Sequence, residues 1–415
     1  MSLISVKRSN TAFTYLAMLL VFICMFPNLS LLGLHQIGSQ PNDIILCVFL
    51  FPFIKWKKAP TNILLLVLVS MFAIGVVLIS PKDFNTFRSV VNYFAVFFVP
   101  LLVYQMLSHL TFEQFKNVLK LGLLIWFFVG TVQFVYDPNF LSFLLPHQSG
   151  SFAGGRGITS MATEPTYYAY ALCLILCITL LIFKGKERVK WTALILLQVI
   201  LYSLSTTAIA GLFLVTGIYF IFSSAKVRNT LFLAMIPIGL ILYYFLFINT
   251  SFLEAQKENT RILNIVYLAI QNPEAILILD GSGNRRFLAI FLSIYGSFES
   301  FFIPHGYGHF NDYIMSPTIR QKFSSVISWL NEYGRIQSSI GAILFELGFM
   351  GLVAIYAIVK PFRRIGTEVS KFSMIFFIFL LLNPVPFTNS IVHLVIGVVS
   401  FLAFSPGFKK GVLTT

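Results

Sequence analysis

The chain reads as an all-α polytopic membrane protein with about 12 transmembrane helices. Three observations predict that class. Hydrophobic residues make up 57% of the 415 positions and charged residues only 11%, against roughly 25% charged in ordinary soluble domains. Apolar runs approaching the ~20 residues of a bilayer crossing recur along the whole chain. Lysine and arginine fall on alternate connections between those runs, as they do when a bundle is threaded through a bilayer.

In chain order, spans are expected at 11–30, 43–56, 61–80, 89–107, 121–136, 166–183, 191–204, 208–222, 230–248, 338–359, 372–386 and 390–405. Those near 43–56, 191–222 and 372–405 are short for a straight crossing, and tilt, flanking residues or a re-entrant path would accommodate them. With the amino terminus inside, the cytoplasmic side receives 19 of the 29 Lys and Arg. Seven of the remaining ten sit on one long external loop, 249–337, where the positive-inside rule hardly applies. Both termini are therefore expected in the cytoplasm, with external loops at 137–165 and 249–337 on a single integral membrane domain, 1–415. Lys7 and Arg8 precede the first apolar run without a small-x-small site after it, so that run is expected to be an uncleaved span.

The net charge of +14 is met by cytoplasmic anchoring, which removes the case for nucleic acid as a partner. Cys24, Cys47, Cys173 and Cys177 all lie in apolar runs and read as packing residues. The short basic cytoplasmic loops hold no glycine-rich nucleotide fingerprint, so nucleotide chemistry inside is not expected, and an active site would face outward.

Three outward stretches carry chemistry-bearing residues. Gly154-Gly155-Arg156-Gly157 sets a guanidinium among glycines, a combination suited to phosphate oxygens; the plain alternative is a flexible turn reaching headgroups. Glu164 follows, just before Pro165 and the span holding Tyr167 and Tyr170. It is a candidate general base or hydroxyl orienter, or simply an acid at a helix start. In the long loop, Arg285 and Arg286 open an apolar stretch, and His309 sits in Pro304-His305-Gly306-Tyr307-Gly308-His309. No carboxylate pattern there resembles a zinc site, so no metal is expected. Arg335 precedes a span that holds Glu346, an intramembrane acid that marks either function or an internal ion pair. Gln198 and His393 read as satisfied interior polar groups.

Together these residues resemble the O-antigen polymerases of lipid-linked polysaccharide synthesis, within a wider group that includes the O-antigen ligases. The resemblance rests on the dozen-span layout and on Arg156 with Glu164-Pro165 ahead of a span. It rests also on Arg286 about twenty residues before Gly306-Tyr307-Gly308, and on Glu346-Leu347-Gly348-Phe349-Met350-Gly351. It covers most of the chain as architecture and about 60 residues as motif. Ligase-type relatives usually carry a histidine before that last segment, where this chain has Gln337, Ser338 and Ser339, which favours polymerase.

The resemblance implies a GT-C-like, lipid-phosphate-dependent glycosyltransferase bundle in the bacterial inner membrane, with a periplasmic site. A growing glycan on undecaprenyl pyrophosphate would pass to a new lipid-linked oligosaccharide repeat unit, without nucleotide, metal or other cofactor. Arg156, Arg285, Arg286 and Arg335 would answer pyrophosphate charge, with Glu164, and after it His309, receiving the attacking hydroxyl's proton. Tyr167 and Tyr307 would line the glycan. Membrane lipid and a chain-length-regulating co-polymerase are the expected partners. The alternatives are an O-antigen ligase acting on lipid A core, and a polysaccharide transporter or flippase. Charges gathered in outer loops, with no half-to-half symmetry, count against transport.

Overall fold

A computed structural model describes residues 11–30, 40–79, 84–146, 157–223, 228–229, 244, 281–323, 336–387 and 389–405. The structure is 79% helical, with no strand among the described residues. The expected spans at 11–30, 43–56, 61–80 and 89–107 correspond to α1 (Thr11–Cys24), α2 (Asn42–Leu50), α3 (Thr61–Ile79) and α4 (Phe84–Met106). Next come α5 (Phe112–Val135), α6 (Pro165–Ile182), α7 (Gly185–Leu197) and α8 (Thr206–Phe222). The span expected at 230–248 lies outside the described residues, save Tyr244. The segment expected to form the long external loop contributes α9 (Gly281–Glu299), α10 (Phe310–Met315) and α11 (Pro317–Lys322). The chain closes with α12 (Ser339–Leu347), α13 (Phe349–Ile365), α14 (Glu368–Leu382) and α15 (Ser390–Phe404).

Four stretches are long and apolar enough to cross a membrane: Thr61–Ile79, Val90–His109, Phe112–Val135 and Pro165–Ile182. Others are shorter than the sequence pattern suggests. Thr11–Cys24, Thr206–Ile221 and Ser390–Phe404 are apolar but brief, and α2 gives way to a 3-10 turn at Phe51-Pro52-Phe53. Two boundaries differ from expectation for clear local reasons. α5 begins at Phe112, well before 121, because Thr111 and Gln114 form a reciprocal capping box. The span expected at 338–359 is two helices, parted at Gly348, whose φ of 57° and ψ of −124° suit only glycine.

The core sits on α6 and α15. Nearly every residue from Tyr168 to Ile182 and from Ser390 to Ala403 is buried, so both helices are apolar all round. α4 packs along α15 and α3, and α14 lies against α6 and α8. α3, by contrast, leaves Leu64, Leu68, Met71 and Leu78 exposed along one side, the surface a helix presents to lipid. Trp126 of α5 stacks on Tyr168 of α6 at 5.4 Å and donates its indole N–H to Met25 O at 3.2 Å, tying three helices together. The four cysteines are free and buried, in keeping with a packing role.

Candidate functional site

The segment between α5 and α6 is the first element of the site. Residues 157–163 are not helical, yet all are buried. Irregular backbone inside such a bundle must find its hydrogen bonds within the protein, and Gln133 of α5 supplies them. Its Oε1 accepts from Ser160 N at 2.6 Å and from Thr159 Oγ1 at 3.4 Å, and its Nε2 donates to Ser160 O at 3.1 Å and Phe140 O at 2.9 Å. Ser160 Oγ adds a bond to Trp126 O at 2.8 Å, and Ile158 N one to Tyr202 O at 2.8 Å. These bonds hold Ser160 at a φ of 47°, a left-handed conformation that costs about 1–2 kcal/mol in a non-glycine residue. Gly157 lies so close to the backbone of Tyr202 and Ser203 that a Cβ would have no room. Gly157–Thr163 is therefore a pinned segment, while the turn expected at Gly154–Arg156 lies outside the described residues.

That pinned segment delivers Glu164 to the N-cap of α6, with Pro165 in the first turn. Glu164 therefore stands at the helix start, as the acid-at-a-helix-start reading expects, although its side chain makes no capping hydrogen bond. Half-buried, the carboxylate stands near Tyr167 one turn on, where its charge reaches the phenol.

α9 brings the second charge. Arg286, in its second turn, is half-buried and close enough to Tyr167 and Tyr170 for its guanidinium to act on both hydroxyls. Glu164 and Arg286, 122 positions apart in sequence, thus both come within electrostatic reach of Tyr167 without forming an ion pair with each other. Tyr170 extends the cluster to α14, donating to Asn383 Oδ1 at 3.5 Å.

The other expected site residues divide. Arg156, Arg335 and the side chain of Arg285 lie outside the described residues. His309 is exposed, and its Nδ1 meets Asp312 Oδ2 of its own turn at 3.3 Å. No described hydrogen bond or ion pair carries it to Glu164 or Arg286. Tyr307 falls in a second group. It lies within electrostatic reach of Tyr93 of α4, and the Tyr93 hydroxyl donates to Glu346 Oε2 of α12. Of the two readings of Glu346, an internal salt bridge is not seen among the described residues; its partner is a phenol.

Gln198 is satisfied, accepting from Tyr168 Oη at 2.8 Å and donating to Leu194 O at 3.1 Å. His393 is satisfied at one nitrogen: Nδ1 meets Asp43 Oδ2 at 3.1 Å, with both side chains at most 1% exposed. Sequence reasoning missed Tyr93, Gln133 and Asp43. A lone glutamine or aspartate within an apolar run was the available signal for the last two; Tyr93 carried none. No family model and no curated protein matches this chain.

Proposed function

We propose that the protein is a membrane glycosyltransferase of the O-antigen polymerase type, joining lipid-linked repeat units at the outer face of the inner membrane. One observation carries this reading. A half-buried carboxylate that makes no capping hydrogen bond and a half-buried guanidinium from a distant part of the chain both act electrostatically on Tyr167. Such a pair, unjoined, fits a reaction that releases a proton at one end and a pyrophosphate at the other.

In that reaction, a hydroxyl oxygen of the incoming repeat unit attacks the anomeric carbon of the donor glycan. The bond from that carbon to the pyrophosphate oxygen breaks, and undecaprenyl pyrophosphate departs with the electron pair. Glu164 accepts the hydroxyl proton. Arg286 answers the negative charge that develops on the leaving oxygen, a role in which a fixed cation is worth more than bulk water. Arg156, Arg285 and Arg335 remain candidates for the same task. Anchoring both lipid-tailed substrates at one depth supplies positioning, in a GT-C-like bundle with both termini cytoplasmic and a chain-length-regulating co-polymerase as partner.

The test is reconstitution in nanodiscs with lipid-linked repeat units, read as a ladder of products on a gel. Wild type is expected to build the ladder, and Glu164→Ala and Arg286→Ala to lose about 10²–10³ in kcat while still inserting normally. A ladder from either variant at the wild-type rate removes that residue from the mechanism. Transfer to lipid A core alone, with no elongation, would convert the reading to ligase.

A further inference from the structure

The break at Gly348 is built jointly by α12, α13 and the turn that follows α9. Phe349 N donates to Phe302 O at 2.8 Å, His305 N to Phe345 O at 3.0 Å, and Gly306 N to Glu346 O at 3.3 Å. A Cβ on Gly348 would strike the Phe302 carbonyl, so the turn is seated directly on the break. His305 reinforces it by stacking on Phe345 at 4.2 Å. Gly306 and Gly308, at φ of 85° and 84°, then present Tyr307 between them.

The result is a half-buried carboxylate at the end of a helix, with phenols from two other elements beside it. Tyr93 occupies Glu346 Oε2, while Oε1 has no hydrogen-bond partner among the described residues. A carboxylate drawn into a helix bundle is costly unless it is hydrogen-bonded, and here one of its oxygens is left to accept. A carboxylate with phenols beside it disfavours phosphate and suits a neutral, hydroxyl-rich ligand. Hydroxyl pairs would donate to the carboxylate, and an aromatic face would cover a sugar's C–H surface.

Its place relative to the first cluster follows from α12. The helix starts beside α14, with Ser338 Oγ donating to Leu381 O at 3.4 Å and Ser339 Oγ donating to Val385 O. That same turn of α14 meets Tyr170, the neighbour of Arg286. From Ser339 to Glu346 the helix rises about 10 Å.

We propose that Glu346, Tyr93 and Tyr307 form a saccharide-binding subsite, at the end of α12 opposite its contacts with α14, that holds the glycan part of a substrate whose charged end lies at Arg286. The identity of the ligand as a glycan rests on the transfer reading above; the existence of the subsite does not.

The experiment measures binding without chemistry. The probe is the lipid-free, phosphate-free oligosaccharide released by mild acid from the producing cell's own surface polysaccharide, titrated against detergent-purified protein by calorimetry. Wild type is expected to bind it, Glu346→Gln and Tyr307→Ala to weaken binding about tenfold or more, and Arg286→Ala to leave it unchanged. Glu346→Gln keeps an acceptor for Tyr93, so its melting temperature should hold; if it drops, Tyr307→Ala, in a surface turn, decides the matter. In the transfer assay Glu346→Gln should raise KM about tenfold with kcat nearly constant. No binding by wild type, or equal binding by wild type and both variants, overturns the subsite. Wild type that binds the oligosaccharide but transfers nothing overturns the transfer reading and leaves the subsite standing.

Discussion

Two corners of the molecule treat their charges in opposite ways. At the corner where α5 meets α7, Glu187 receives Lys120 at 2.5 Å and Lys116 at 2.9 Å, and Lys116 also reaches Glu113 at 3.2 Å. Both ammonium groups lie over the Phe183 ring. Those four charges answer one another within the chain. At the start of α6 the reverse holds: Glu164 and Arg286 stand near one phenol, and neither has an ion-pair partner among the described residues. The backbone that places Glu164 is nonetheless heavily tied, with a left-handed serine held by one glutamine. Strain maintained to present an unanswered charge is the pattern of a site awaiting a ligand. On the proposed transfer reading, paired charge serves structure in this protein and unpaired charge on a rigid mount serves chemistry.

Asp43 and His393 give the sharpest way to break that rule. They pair at 3.1 Å in the core between α2 and α15, fully buried, so by the rule they belong to structure. Asp43→Ala leaves His393 without its partner and should cost about 3–5 kcal/mol, read by reversible denaturation in detergent. The folded fraction should keep wild-type kcat. A variant that melts normally but transfers poorly would show that buried pairing does not mark structure here.

Much of this was legible in the chain. The apolar runs at 61–80, 89–107, 166–183 and 390–405 appear within a few residues of their helices, because a helix in lipid is decided by its own composition. Glu164 and Arg286 were legible individually, as charges beside oil. Their convergence was not, since it depends on α9 reaching α6 across a long stretch of chain. Tyr93 was invisible for the same reason, being one of 17 tyrosines with nothing local to distinguish it from an interfacial anchor. The break at Gly348 escaped because the carbonyl that demands it, Phe302 O, belongs to a loop 46 residues earlier.

Gln133 tests the other side of the comparison, namely the mount rather than the charge. Gln133→Ala leaves Ser160 N and Phe140 O without their partners, at about 1–3 kcal/mol for each buried group left unpaired. Since Glu164 follows four residues on, kcat should fall about tenfold to a hundredfold with KM little changed. Gln133→Glu keeps one acceptor oxygen for Ser160 N and should recover part of the loss. If Gln133→Ala lowers the melting temperature and leaves kcat untouched, the segment braces the bundle and does not position Glu164.

The smallest effect belongs to Glu187, and its sign is fixed by its partners. The hydrogen bond from Lys120, then that from Lys116, holds its carboxyl below the usual range. A depressed folded pKa means that the pair stabilises the fold above the unfolded value, near 4.3, and that this stability is lost as pH falls through the lower folded value. Because the carboxylate is about one-third exposed, the contribution belongs with surface pairs, roughly 0.2–1 kcal/mol. Glu187→Gln should therefore melt slightly below wild type at pH 7, and the two curves should converge on acidification and in high salt. Transfer activity at pH 7 should be the same in both. A gap in melting temperature that persists at low pH would mean that Glu187 acts through packing, and that this corner is not the charge-paired counterpart to Glu164 and Arg286.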